Sequence, residues 1–177
     1  MKRFIMVTFA CVPALLATAC SGNGGDQGQA TMKEVTTVVN EADVKPVTSD
    51  VFSSLKVSGQ PCSLDSIDGD YASKLGLIKG ETHVFRGWLA NHVRVAAGKF
   101  ELVLSSGERN FGIPVSTGTP RPDVAKGLHA PALASAGFNF STTLSAIPPG
   151  DYQVRFLLAE EGGVAYWCDA KKTIDIR

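Results

Sequence analysis

Beyond residue 50 the chain alternates apolar and polar positions in short runs broken by glycine, proline and aspartate, the period-two pattern of strands that bury one face. Phe100, Leu102 and Leu104 point one way while Lys99 and Glu101 point the other, and Ser105-Ser106-Gly107-Glu108 turns this strand into a partner over Arg109 to Val115. Tyr152, Val154, Phe156 and Leu158 alternate with Gln153 and Arg155 in a strand from Tyr152 to Ala159, entered through Pro148-Pro149-Gly150-Asp151 and left through Glu161-Gly162-Gly163. Phe138, Phe140, Thr142 and Leu144 mark another. Val51 to Val57 predicts an edge strand, and Ser63 to Asp68 a strand running into the Asp68-Gly69 turn. In Thr82 to Ala90, Phe85, Gly87 and Leu89 alternate with Val84, Arg86 and Trp88, so either set suits the core. Val164 to Asp169 and Lys172 to Ile176 predict two closing strands.

Roughly seven or eight short strands over about 125 residues predict an all-β fold, a single immunoglobulin-like antiparallel β-sandwich, with a closed barrel as the alternative. One segment interrupts the pattern. Between Pro120 and Gly137, Asp123-Val124-Ala125-Lys126 and Ala132-Leu133-Ala134-Ser135-Ala136 read as short helical turns, the first with Pro122 near its start. Val124, Leu128 and Leu133 suit capping an open end of the sandwich, while a long insertion in a compact β fold is also where binding residues are carried. Arg121 is placed to pair with Asp123 or with a strand-end carboxylate, Asp123 to accept from amides of the following turn, and Gly137 to supply a positive φ before the Phe138 strand. Arg121 and Asp123 are also candidate ligand contacts.

The first fifty residues break with this periodicity. Lys2 and Arg3 precede an apolar stretch from Phe4 to Leu16, too short to span a bilayer, and Ala17-Thr18-Ala19-Cys20 follows as a small-residue cleavage site ending in cysteine. That is the pattern of a lipoprotein signal over residues 1–19. Cys20 then carries the diacylglycerol and fatty acyl (palmitate-type) chains, each buried methylene contributing about 0.8 kcal/mol to membrane attachment. Ser21 to Ala30 holds four glycines among Asn, Asp and Gln and reads as a flexible tether. Thr31 to Asp50, rich in Thr, Val and charge, reads as an extended linker whose end joins the domain, so residues 20–50 form the tether and 51–177 the folded domain. No apolar run after Cys20 reaches the roughly 20 residues of a spanning helix.

Charge and cysteine usage narrow the function. The 177-residue chain carries 17 Lys and Arg against 17 Asp and Glu, and residues 1–19 hold Lys2 and Arg3 but no acid, so the remainder balances at (17 − 2) − 17 = −2. This lacks the basic footprint of nucleic-acid binding, and no nucleic-acid partner is expected. Of four cysteines, Cys11 leaves with the signal and Cys20 takes lipid. Cys62 and Cys168 are left to pair in an oxidising compartment, neither having the close His or Cys neighbours of a metal site. Such a bridge ties the start of the domain to its last strands rather than two interior strands, so Trp88 is not read as the tryptophan of an antibody-type core.

Catalytic patterns are absent from the sequence. There is no Gly-x-Ser-x-Gly elbow and no His-Glu-x-x-His, and His83, His92 and His129 are scattered, the first two flanking one strand as solvated residues. Asp65, Asp68 and Asp70 cluster at a turn, but their spacing suits turn chemistry better than a calcium loop. No enzyme, cofactor or metal is expected. Trp88, Tyr152, Tyr166 and Trp167 are candidates for stacking on a sugar. With Tyr166 and Cys168 inward, alternation turns Trp167 outward, either to a ligand or under the N-terminal linker.

The runs Gly87-Trp88-Leu89-Ala90-Asn91, Arg121-Pro122-Asp123-Val124-Ala125, Ala136-Gly137-Phe138 and Pro149-Gly150-Asp151-Tyr152, with Cys62 before Asp65-Ser66-Ile67 and the late Cys168-Asp169, resemble a β-sandwich module of bacterial envelope proteins. Modules of that kind accompany sugar-transfer and cell-surface polysaccharide enzymes. The resemblance covers roughly Cys62 to the C-terminus and implies an accessory, non-catalytic domain. Ser21, not aspartate, follows Cys20, which by resemblance to Gram-negative lipoproteins favours the outer membrane, facing the periplasm or the cell surface. The expectation is a lipid-anchored interaction or structural module of the envelope, binding a protein, or alternatively a glycan.

Overall fold

Two β-sheets pack face to face in the computed structural model, which describes residues 35–48, 56–57, 61–107, 109–159 and 165–177, all within the compact unit Lys33–Arg177. The smaller sheet is built from β1 (Thr37–Val38), β4 (Cys62–Ile67), β6 (His83–Leu89) and β9 (Gly137–Thr142), in the order β1-β9-β6-β4. The larger contains β2 (Lys45–Pro46), β3 (Lys56–Val57), β7 (Lys99–Ser106), β8 (Arg109–Ser116), β10 (Gly150–Ala159) and β11 (Ala165–Ile176), in the order β2-β8-β7-β10-β11-β3, with β5 (Lys74–Leu77) also laid along β11. The sheets do not close into a barrel. Pairing is mainly antiparallel, but β1 on β9, and β3 and β5 on β11, run parallel.

The hairpin over 99–116 forms as its alternation predicts, registered from Lys99 opposite Ser116 to Ser106 opposite Arg109. In β6 the inward set is Phe85, Gly87 and Leu89, all buried, while Val84, Arg86 and Trp88 stay partly exposed. Asp68 and Gly69 both have positive φ, 54° and 81°, the combination of a type I′ turn that an Asp-Gly pair adopts at least cost. Five phenylalanines lock the sheets together. Phe85, Phe138 and Phe140 reach in from the smaller sheet and Phe100 and Phe156 from the larger, with ring centroids 5.1 Å apart for Phe85 and Phe140, 5.3 Å for Phe100 and Phe138 and 5.5 Å for Phe138 and Phe156. All five are buried, and rings in such offset and edge-on contact add to the stabilisation from buried area alone.

Three elements differ from the sequence reading. The two closing strands are one continuous strand, β11, interrupted by a register shift opposite Gln153 and Arg155, with Lys171 at φ 56° absorbing the irregularity. Strand β5 was not expected, because Lys-Leu-Gly-Leu is too short to show a period. The second helical turn is a 3-10 turn at Pro131–Leu133, earlier than 132–136, whereas the first is a short helix, α1 (Pro122–Gly127).

The linker contributes more than its end. Residues 35–48 place β1 on the smaller sheet and β2 on the larger, joined by a 3-10 turn at Glu41–Asp43. Glu41 fixes this segment: its carboxylate accepts from the Thr142 hydroxyl (2.6 Å), the Thr143 amide (2.8 Å) and hydroxyl (3.0 Å), and the Ala146 amide (3.3 Å). Burial works against the charge, but these bonds outweigh it and hold the carboxyl below its ordinary range. Of the expected edge strand Val51 to Val57, Lys56–Val57 pairs with Tyr166 and Trp167 on β11; residues 51–55 lie outside the described residues.

Candidate functional site

Cys62 on β4 and Cys168 on β11 form the disulfide, their Cα atoms 6.5 Å apart. Because β4 ends the order of one sheet and β11 belongs to the other, the bridge is a sheet-to-sheet tie along one seam of the sandwich. Cys20 lies outside the described residues.

Next to that seam the crossover is fastened by Arg121. Its Nη1 donates to Asp65 Oδ2 at 2.6 Å, while Nε and Nη2 donate to Asp123 at 2.9 and 2.8 Å. One guanidinium therefore holds the expected Asp123 and, in place of a strand-end carboxylate, Asp65 from within β4, joining β4 to α1. The hydrogen bond from Arg121 pulls the Asp123 carboxyl down to about 2. Gly137 is not in the left-handed region; its need for glycine is close approach, since a Cβ there would sit 2.6 Å from the Thr119 carbonyl oxygen and 2.7 Å from Arg121 Cγ. The expectation of a positive φ at Gly137 is thus corrected: the hydrogen leaves room for the crossover to return against β9, where Gly137 and Thr119 bridge.

The crossover covers Trp88. Ala90, Val124, Leu133 and Ala136 form a second, smaller core against which Trp88, Ala96 and Leu128 pack. Val124, Leu128 and Leu133 therefore cover the outward face of β6 that carries Trp88, in a cluster separate from the core between the sheets, rather than an open end of the sandwich. The aromatic candidates have separate surroundings. Tyr152 is buried and donates to the Pro148 carbonyl at 2.8 Å. Tyr166 stacks on His92 with centroids 5.4 Å apart. Trp167 pairs with Leu157 on β11's neighbour β10, and the Arg155 guanidinium stands 5.1 Å from its ring centre, a cation–π arrangement. Trp88 belongs to one sheet and Trp167 to the other, so these two rings do not make a common platform.

His83 is not the solvated strand-end residue expected. It is 6 % exposed, with Nδ1 2.7 Å from Asp68 Oδ2 and Nε2 2.9 Å from the Ile78 carbonyl oxygen. The three turn carboxylates have different partners: Asp65 has Arg121, Asp68 has His83 and the Val84 amide, and Asp70 caps the Ala72 amide at 2.8 Å. Among the described residues no group of three or more His, Cys, Asp or Glu converges as a metal site.

Among the described residues the surface carries several concavities, two of which adjoin the elements above. One, of about 570 Å³, runs along Thr37, Val39, Glu101, Pro114 and Asn139. The other, about 580 Å³ and open, lies in the disulfide seam between β4 and β11. Two of its lining residues, Tyr71 and Lys172, carry no signal in the sequence, since a lone tyrosine after a turn and a lysine beside another have no period. No protein-family model matches the chain, and no match was found among curated proteins or solved structures.

Proposed function

We propose that this chain is an envelope lipoprotein, held at the outer membrane through Cys20 and presenting its β-sandwich as a non-enzymatic interaction or structural module. The observation that carries the reading is the run from Met1 to Cys20, basic start, short apolar stretch and Ala-Thr-Ala-Cys. The Cys62–Cys168 bridge supports it, since such a bond belongs to an oxidising compartment. So does the employment of the carboxylates: Asp65, Asp68 and Asp123 hold loops and strands together, a use that favours a rigid presenting surface. A resemblance to accessory modules of envelope polysaccharide proteins points the same way.

Metabolic labelling with an alkyne-bearing palmitate analogue tests the anchor. Label should enter the wild-type chain and be lost from Cys20→Ala; equal labelling of both, or of neither, overturns it. Crosslinking in intact cells, followed by recovery of the chain, tests the module: one reproducible envelope protein is the expected product. Glycan binding is the second reading, favoured by Trp167 standing with Arg155 on the outer face of the larger sheet; carbohydrate recovered alone, and lost with Trp167→Ala, would replace the protein-binding role.

A further inference from the structure

The open groove in the disulfide seam is bordered by Ser63 and Asp65 of β4, Tyr71 and Ser73 before β5, and Lys171 and Lys172 of β11. Lys172 is its unusual member. It is 8 % exposed, and its ammonium donates to the carbonyl oxygens of Tyr71 (2.7 Å) and Ala72 (2.8 Å). An ammonium has three protons to donate, and two carbonyl dipoles offset only part of what a cation loses on leaving water. The other charges along the groove are already matched: Lys171 by Asp169 at 2.9 Å, and Asp65 by Arg121 at 2.6 Å. Lys172 is left as a buried cation with no carboxylate partner among the described residues.

The rest of the groove adds a second chemistry. Tyr71 stands at the rim with 76 % of its surface exposed, far from the usual fate of an aromatic ring in a small β fold. Among the described residues Ser63 and Ser73 offer hydroxyls without a hydrogen-bond partner, and Arg121, bonded to one oxygen of Asp65, is the one side chain that donates to that carboxylate. An aromatic face, hydroxyls and a carboxylate oxygen suit the apolar face and hydroxyl edge of a pyranose ring, and a cation suits a carboxylate on that ring.

We infer that this groove binds an acidic saccharide, its carboxylate directed to Lys172 and its ring against Tyr71. The site is separate from Trp167 and does not depend on lipid attachment at Cys20.

Amide chemical-shift titration of the full-length chain in mild detergent tests the site, with D-glucuronate, D-glucose and acetate as probes. Glucuronate should shift amides around Ser63, Ser73 and Lys172, and bind about tenfold more tightly than glucose or acetate, the loss expected when either the charged bond or the ring contact is missing. Tyr71→Ala, at an exposed position, should weaken glucuronate about fivefold or more, and Trp167→Ala should leave it unchanged. Lys172→Met should abolish the preference over glucose; if that variant loses its dispersed spectrum, Tyr71→Ala and the shift map still decide. Acetate binding as tightly as glucuronate, shifts clustering elsewhere, or Tyr71→Ala without effect would overturn the assignment.

Discussion

Replacing both bridged cysteines, as Cys62→Ala with Cys168→Ala, isolates what the sheet-to-sheet tie contributes. The bridge joins residues 106 apart in sequence, and for a loop of that length the chain-entropy relation gives about 16 cal/mol/K, or about 4.8 kcal/mol at 25 °C. The folded state keeps its own supports, since β4 remains paired with β6 and β11 with β10, so the loss arises chiefly in the unfolded ensemble, which gains freedom. For a domain of this size each kcal/mol is worth about 2–4 °C, so the melting temperature should fall by about 10–20 °C. Differential scanning calorimetry of the variant, and of the wild type with and without reductant, measures it. A loss below about 1 kcal/mol would refute the reasoning: it would mean that β4 and β11 stay together in the unfolded chain, or that the bridge strains the fold as much as it restrains the coil.

Three further predictions follow from contacts already described. Glu41→Gln should cost about 1–3 kcal/mol at neutral pH, the range for a hydrogen-bonded charge. Because the folded carboxyl lies below the ordinary value of 4.5, that stability is fully present above 4.5 and is lost as pH falls through the folded value, so urea midpoints of wild type and variant should converge in acid. Asp123 should titrate by NMR with a midpoint of about 2, moving up toward the usual carboxylate range in Arg121→Gln; its exposure keeps the stability change of Asp123→Asn under about 1 kcal/mol. Gly137→Ala drives a methyl group against the Thr119 carbonyl and the Arg121 stem, and should cost about 1–3 kcal/mol in denaturant melts as an overpacked position.

What the sequence made legible was whatever rests on strict alternation. Phe100, Leu102 and Leu104 against Lys99 and Glu101 predict both the strand and its buried face, and the Asp68-Gly69 pair predicts its turn. The cysteine pair was legible because elimination left two. Where a residue's role depends on what comes back to it from far along the chain, local pattern fails. Lys74–Leu77 is a strand only because β11 lies beside it. His83 reads as a solvated strand end until Ile78 and Asp68 enclose it. Glu41 reads as linker charge until the Thr142-Thr143 corner arrives about a hundred residues later, and the same distance separates Lys172 from the carbonyls it caps. At Gly137 the local pattern points to a positive φ, whereas what requires glycine there is the close approach of Thr119 and Arg121.

The short segment 35–48 has a mechanical consequence. Its two strands attach to different sheets, one parallel to β9 and the other antiparallel to β8, with the Glu41 anchor between them. A pulling force entering the domain at Val35 meets β1 first, then the anchor, then β2, so it is handed to both sheets in succession before it reaches any core strand. The load path makes this segment a sacrificial buckle, which would yield by a few hydrogen bonds at a time while the phenylalanine-locked sandwich behind it stays shut.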